Sequence, residues 1–153
     1  VAHYHGLGGW RGIRFSAHAG YHLMVAIGIV ATTLVFIFRR QITGVFVSSD
    51  DPILFAAISS TVVSMVWPMI FYQVGDGMQT CYVNALRGIG DVKKLMKYSF
   101  ISFGLVTIPL SYLFGIILDG GAVGIWWGFP FGLTLVGILY LRRFLYHLKR
   151  NGL

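Results

Sequence analysis

The stretch PILFAAISSTVVSMVWPMIFYQVGDGMQTCYVNAL, residues 52–86, runs for 35 positions with one charged side chain, Asp76. A single membrane crossing needs about 20 residues, so the run is too long for one bare span and too short for two helices with a turn. It reads as one long helix that projects past the bilayer on one side and bends at Pro68. Working outward, residues 15–38 form a second charge-free run, interrupted only by His18 and His22. At about 1.5 Å per residue this run covers roughly 36 Å, against a hydrocarbon core of about 30 Å. Residues 98–118 and 120–141 follow as two more spans, separated by the turn Asp119-Gly120-Gly121. The expected fold is an all-α, polytopic membrane protein with four transmembrane helices. A segment at 1–14 precedes them and a basic tail at 142–153 follows.

Composition supports lipid as the main solvent. Of 153 residues, 56% are hydrophobic and 11% charged, and the mean hydropathy is +0.74. A soluble domain carries roughly 25% charged residues. The net charge of +7 would suit nucleic acid in a soluble protein, but here the basic residues lie in short clusters between apolar runs, so no nucleic-acid partner is expected. Ten basic residues share one side: Arg11, Arg14, Arg87, Lys93, Lys94, Lys97, Arg142, Arg143, Lys149 and Arg150. Only Arg39 and Arg40 fall on the other side, with Asp50, Asp51 and Asp119. The bias predicts that both chain ends and the loop around 87–97 are cytoplasmic, with the loops at 39–51 and 119–121 outside. No signal peptide is recognisable. The opening Val1 to Gly9 reads as the end of a helix running into a loop, so the chain is expected to be a piece of a longer protein.

Asp76 is the only acid inside a span. An isolated carboxylate at the bilayer centre costs about 3 kcal/mol on insertion scales, so such residues usually face a cavity and serve ion or proton pathways. Tyr72 lies four residues before it, Gln73 three before and Gln79 three after, which gives one helix face a carboxylate, a phenol and two amides. That stripe suits a monovalent cation or the charged group of a lipophilic one. Gly75 and Gly77 flank the acid, either to admit water or ligand or to allow close helix packing. Pro68, Pro109 and Pro130 each fall within a different span and permit bends.

Gly120, Gly124, Gly128 and Gly132 recur every four residues and predict a groove for tight helix contact. Trp126 and Trp127 read as interfacial anchors, with substrate lining as the alternative. His18 and His22 share a face as hydrogen-bonding partners. No metal site is expected, because the chain holds no Glu and a single cysteine, Cys81, whose expected role is helix packing. Asp91 is expected to cap the start of the next helix. No Ser-His-Asp order, phosphate loop or paired carboxylates are present, so the chain is not expected to be an enzyme, and no cofactor is implied.

The stretch 72–94, with Ala85-Leu86-Arg87-Gly88 followed by Gly90-Asp91, resembles the tenth helix and following loop of the multidrug and toxic compound extrusion (MATE) family. Ile108-Pro109-Leu110-Ser111-Tyr112 is similar to the family's eleventh helix. Gly121-Ala122-Val123-Gly124-Ile125-Trp126 with Gly128 is similar to its outer turn and twelfth helix. The opening, His5-Gly6 into a basic loop and the 15–38 span, is similar to the connection from the eighth helix to the ninth.

This resemblance implies helices nine to twelve of a C-terminal six-helix lobe, in the NorM-like, Na⁺-coupled branch. It implies a bacterial inner-membrane antiporter exporting organic, often cationic compounds in exchange for Na⁺ or H⁺. Asp76 and Tyr72 would belong to the cation site, with Gln73 and Gln79 lining the substrate cavity. The implied partners are membrane lipid, small organic substrates and the remaining helices of the same transporter. The family's glutamate on the seventh helix and its aspartate on the first have no counterpart here, which leaves the coupling ion open. A lipid-linked saccharide flippase of the same superfamily and a small four-helix structural membrane protein stand as alternatives.

Overall fold

A computed structural model describes residues 1–46 and 52–151. Asp50 and Asp51, assigned above to the outer side, lie outside the described residues, as do the side chain of Arg40 and the last two residues of the tail. The described residues are helical with no strand. Helix α1 covers Ala2–Gly6, α2 Trp10–Ile37, α3 Arg39–Phe46 and α4 Pro52–Gly88. The third long element, Lys93–Ile117, is built from α5 (Lys93–Ser102), a π-helical turn at Phe103–Thr107, α6 (Ile108–Tyr112) and a second π-helical turn at Leu113–Ile117. Helix α7 covers Gly121–Arg150. The four long helices α2, α4, Lys93–Ile117 and α7 have the length and apolarity needed to cross a membrane.

The spans read from charge-free runs are these four helices, but the helices are longer. Helix α2 begins at Trp10, so Arg11 and Arg14 lie on its first turns, and the third helix begins with Lys93. Lys and Arg are good helix formers whose long stems let the charge reach the interface, so charge marks the membrane surface and not the helix end. Residues 39–46 were expected as loop and are helix α3. Phe38 breaks the α2 backbone at φ −91° and ψ 12°, and the chain then re-enters a helix in which Thr43 donates to the Arg39 carbonyl at 2.8 Å. The short α1 ends at Gly6, with Gly8 at φ +68° in the turn that follows, which matches the expected helix end. The turn between the last two spans uses positive φ at Asp119 and Gly121.

Helix α7 packs between α4 and the third helix because both of its sides are cut back. Toward α4, a Cβ on Gly75 would stand 3.0 Å from the Thr134 amide nitrogen, and one on Gly137 3.0 Å from Met78 Cβ. Toward the third helix, Gly124 faces the Phe114 carbonyl, Gly128 faces Ser111 and Gly132 faces Thr107. The π-helical turns set those partners. Pro109 has no N–H to offer the carbonyl four residues back, and the widened turn lets Thr107 donate to the Ser102 carbonyl at 3.2 Å. Ser111 donates to the Ile125 carbonyl at 2.9 Å, tying α6 to α7. The four-residue glycine repeat is thus an internal packing groove.

Fully enclosed side chains gather at the end that carries the basic clusters. Ile13 and Ala17 of α2, Tyr82 and Leu86 of α4, Leu95 of α5, and Val136, Tyr140 and Phe144 of α7 form one buried cluster. Replacing Gly128 by Val forces atoms into the Ser111 backbone nitrogen, 2.7 Å from where the new Cβ would sit. The change is expected to destabilise the bundle by about 1–3 kcal/mol. Thermal unfolding of the purified variant in detergent measures it, and Gly104→Ala, which meets only the outer atoms of the Phe100 ring at 3.8 Å or more, serves as the tolerated control.

Candidate functional site

Helix rotation decides where Asp76 points. Gly75, one residue earlier, is buried against Thr134 and Leu133 of α7, while Gly77, one residue later, is buried against Met24 and Tyr21 of α2. With α7 on one flank and α2 on the other, the acid projects from the arc between them. It is half-buried there, and no described residue gives it a hydrogen bond or an ion pair. Tyr72, one turn away on the same side, places its ring 6.0 Å from that of Trp126 on α7. Asp76 and Tyr72 thus lie on the same side of α4.

The two amides part company. Gln79 stays on the Asp76 side, where Thr80 donates to its Oε1 at 3.3 Å. It lines a groove of about 520 Å³ with Thr80, Asn84, Arg87, Ser99 and Tyr140. The groove floor is ordered: the Tyr140 hydroxyl donates to the Leu95 carbonyl at 3.1 Å and lies 2.6 Å from Ser99 Oγ. Gln73 turns instead toward α2. Its amide lies across Gly28, with Cδ 2.7 Å from where a Cβ there would stand. It lines an apolar groove of about 220 Å³ with Val25, Ile29, Ile70 and Val74. One residue of offset along the helix, about 100° of rotation, separates Gln73 from Tyr72 and explains the split.

The remaining polar residues serve packing. His18 Nδ1 and the Tyr82 hydroxyl are 3.1 Å apart across α2 and α4, the partner role expected of that histidine. Cys81 Sγ lies 3.4 Å from where a Cβ on Gly20 would stand, so the thiol fills the α2–α4 contact. Trp127 packs on Phe71 with ring centroids 5.5 Å apart, a contact between α4 and α7.

Asp91 does not cap α5. Val92 holds the cap position and no side chain bonds the first turn. The carboxylate turns to α7, where Oδ2 accepts from Arg143 Nε at 2.5 Å and from His147 Nε2 at 2.6 Å. Arg143 and His147 stand four residues apart and so share a face, which is the one trace of this clasp in the sequence. Their separation from Asp91 by more than 50 residues concealed the partner. The Arg143 guanidinium, by hydrogen bond first and charge second, holds the Asp91 carboxyl below the usual carboxylate range.

Residues 1–113 match the family described as MatE, a region that includes all of α4. The chain is 31% identical over 150 residues to a protein of Pseudomonas putida named "Probable multidrug resistance protein NorM", covering 98% of this chain and 32% of that protein. It is 32% identical over 139 residues to "Multidrug resistance protein NorM" of Burkholderia vietnamiensis, covering 89% and 29%. It is 37% identical over 120 residues to "Uncharacterized transporter YisQ" of Bacillus subtilis, covering 77% and 25%. The chain spans about a third of the length of the curated relatives it matches.

Charge on Asp91 is what the clasp requires. Because the folded carboxyl is depressed, its contribution is fully present above the unfolded value of about 4 and is lost as pH falls through the lower folded value. Asp91→Asn is expected to cost about 1–2 kcal/mol at pH 7, with its side chain 13% exposed, and the gap to the parent should narrow below about pH 4. Detergent-solubilised thermal unfolding of both proteins across pH 3–7 checks the magnitude and the sign.

Proposed function

The chain belongs to the MatE family, and from that premise we propose that it forms the last four spans of a cation-driven multidrug efflux antiporter. One observation carries the reading: the only acid in any span, Asp76, projects from the side of α4 that α2 and α7 leave uncovered, beside Tyr72. Asp76 binds the coupling cation, Na⁺ or H⁺, and the Tyr72 hydroxyl supplies a neutral oxygen next to it. A carboxylate in a low-dielectric site holds either a monovalent cation or a proton at modest cost, and the bare charge at high cost. Loading and release of the cation thus shift the energy of the two faces of the transporter, which is the physical basis of exchange.

Gln79, with the polar groove beyond it, lines the route between Asp76 and the end rich in basic residues. Gln73 lines the smaller groove against α2. The work is transport and not catalysis, and the partners are lipid, the remaining helices and small organic cargo. The chain lies in a cell membrane of the bacterial inner-membrane type, with both described ends cytoplasmic, supported by ten basic residues against two. Self-association through the glycine groove is disfavoured, because Gly124, Gly128 and Gly132 are already filled by the third helix.

In the full-length transporter, Asp76→Asn is expected to abolish dye efflux driven by an imposed Na⁺ or H⁺ gradient, a loss of at least about 100-fold. Efflux at the parental rate overturns the cation role. Orientation has its own measurement. With Cys81 replaced by Ser, Lys149→Cys should react with a membrane-impermeant maleimide in inverted vesicles and resist it in intact cells. The reverse pattern overturns the topology.

A further inference from the structure

The groove between α4 and α5 starts at Gln79, about one turn beyond Asp76, and reaches Arg87 at the basic end, roughly 12 Å further along α4. Its polar groups point in directions set by their own hydrogen bonds. Asn84 donates from Nδ2 to the Thr80 carbonyl at 3.0 Å, and a carbonyl only accepts, so the amide oxygen Oδ1 is the end left for the groove. The Tyr140 hydroxyl has one proton and gives it to the Leu95 carbonyl, so Ser99 donates to Tyr140 and keeps its own lone pairs free. Neutral oxygens therefore line both walls, from Asn84 on α4 and Ser99 on α5, and no acid is among the described lining residues. A space of about 520 Å³ holds several waters, and a water there meets the polar partners that keep such a site wet.

We propose that the α4–α5 groove is a water-filled side path that carries the coupling ion between Asp76 and the cytoplasm, with Asn84 and Ser99 as its relay oxygens. The inference rests on Asp76 as the cation-binding residue and adds where the ion goes. Neutral oxygens replace part of a small cation's hydration shell without holding it as a carboxylate does, and a proton passes along the waters themselves. Arg87, the one charge in the described lining, opposes standing occupancy by a cation, so the groove conducts and Asp76 stores. Cargo takes another route. Tyr140 is the one ring in the described lining and is 1% exposed, so a flat organic body finds no ring face there to rest on. A change in the groove then slows the ion and leaves recognition of cargo as it was.

The test uses the full-length transporter with Cys81 and any other cysteine replaced by Ser. In inverted vesicles, Asn84→Cys and Ser99→Cys should react with methanethiosulfonate ethyltrimethylammonium, a membrane-impermeant cation, while Val136→Cys, at a position 0% exposed, should not. Unreactive cysteines at 84 and 99 mean that another helix fills the groove, which overturns the proposal. In proteoliposomes, Asn84→Leu should lower the rate of ethidium efflux driven by an imposed Na⁺ or H⁺ gradient about tenfold, with the KM for ethidium within about twofold of the parent. Asn84→Gln, which keeps an amide oxygen, should recover most of that rate. If Asn84→Leu fails to insert, Ser99→Ala decides by the same split of rate and KM. Parental rates in both variants overturn the path, and so does a rise in KM that matches the loss of rate, because the groove then serves cargo. Asp76→Asn in the same assay separates the two readings. Parental transport there overturns the underlying cation role, whereas loss of transport there with parental Asn84→Leu and Ser99→Ala overturns the side path alone.

Discussion

The close approach of α7 at Gly75 fixes the rotation of α4, and most of the bundle follows from that. Gly75 admits the α7 backbone, while Gly77 faces α2 side chains at 3.8–3.9 Å, on opposite flanks of the one acid in the helix. Between lipid-facing helices there is little hydrophobic reward for contact, because hydrocarbon is as apolar as leucine, so close approach and dispersion have to hold the helices together. Turning α4 by one residue, about 100°, would drive the Asp76 carboxylate into one of those contacts. The small residues thus pack the helix and keep the acid out of the packing at the same time. Tyr72 and Gln79 inherit the same exposed arc, and Gln73, one position off it, does not.

Helix α7 applies the same device on two sides. Gly137 receives Met78 of α4, while Gly124, Gly128 and Gly132 receive the third helix, whose π-helical turns bring Thr107 and Ser111 into register with them. The third helix is shaped to its neighbour: the missing N–H of Pro109 falls where the helical repeat already widens, and the Thr107 hydroxyl serves the Ser102 carbonyl. A regular helix would present those two hydroxylated residues at other angles.

What the sequence revealed, and what it hid, divides by range. Charge-free length located the four spans, because burial in lipid penalises every ionised group along a run and leaves a visible gap. The glycine repeat on α7 and the helix end near Gly8 were legible for a similar reason, since each is a local pattern with a local cause. Tyr72 beside Asp76 was legible from i, i+4 spacing. The Asp91 clasp was not, because its partners lie on another helix and a short-range cap offered a sufficient local explanation. That Trp126 meets Tyr72 was not legible, because the sequence does not say which side of α7 faces α4. Gln73 was misplaced because four residues within eight were treated as one stripe, while the actual arc is narrowed on both flanks by neighbouring helices. Helix α3 was hidden by its two arginines, which mark the membrane surface without ending the helical chain.

Polar and aromatic contacts are unevenly shared between the two ends of the bundle. The basic end holds most of the inter-helix side-chain bonds, Asp91 to Arg143 and His147, His18 to Tyr82, and Tyr140 to Ser99 and Leu95, with Ser111 to Ile125 toward the other end. Toward the opposite end, side-chain contact between long helices includes ring on ring, Phe71 with Trp127, Tyr72 with Trp126, and Phe114 with Phe131. Rings slide over one another at little cost, whereas a carboxylate oxygen shared by two donors loses its bonds when the atoms move by an ångström. The bundle is therefore built like tweezers, riveted at one end. A tilt of about 10° about the riveted end, carried along roughly 30 Å of helix, moves the far tip by about 5 Å, close to one helical turn.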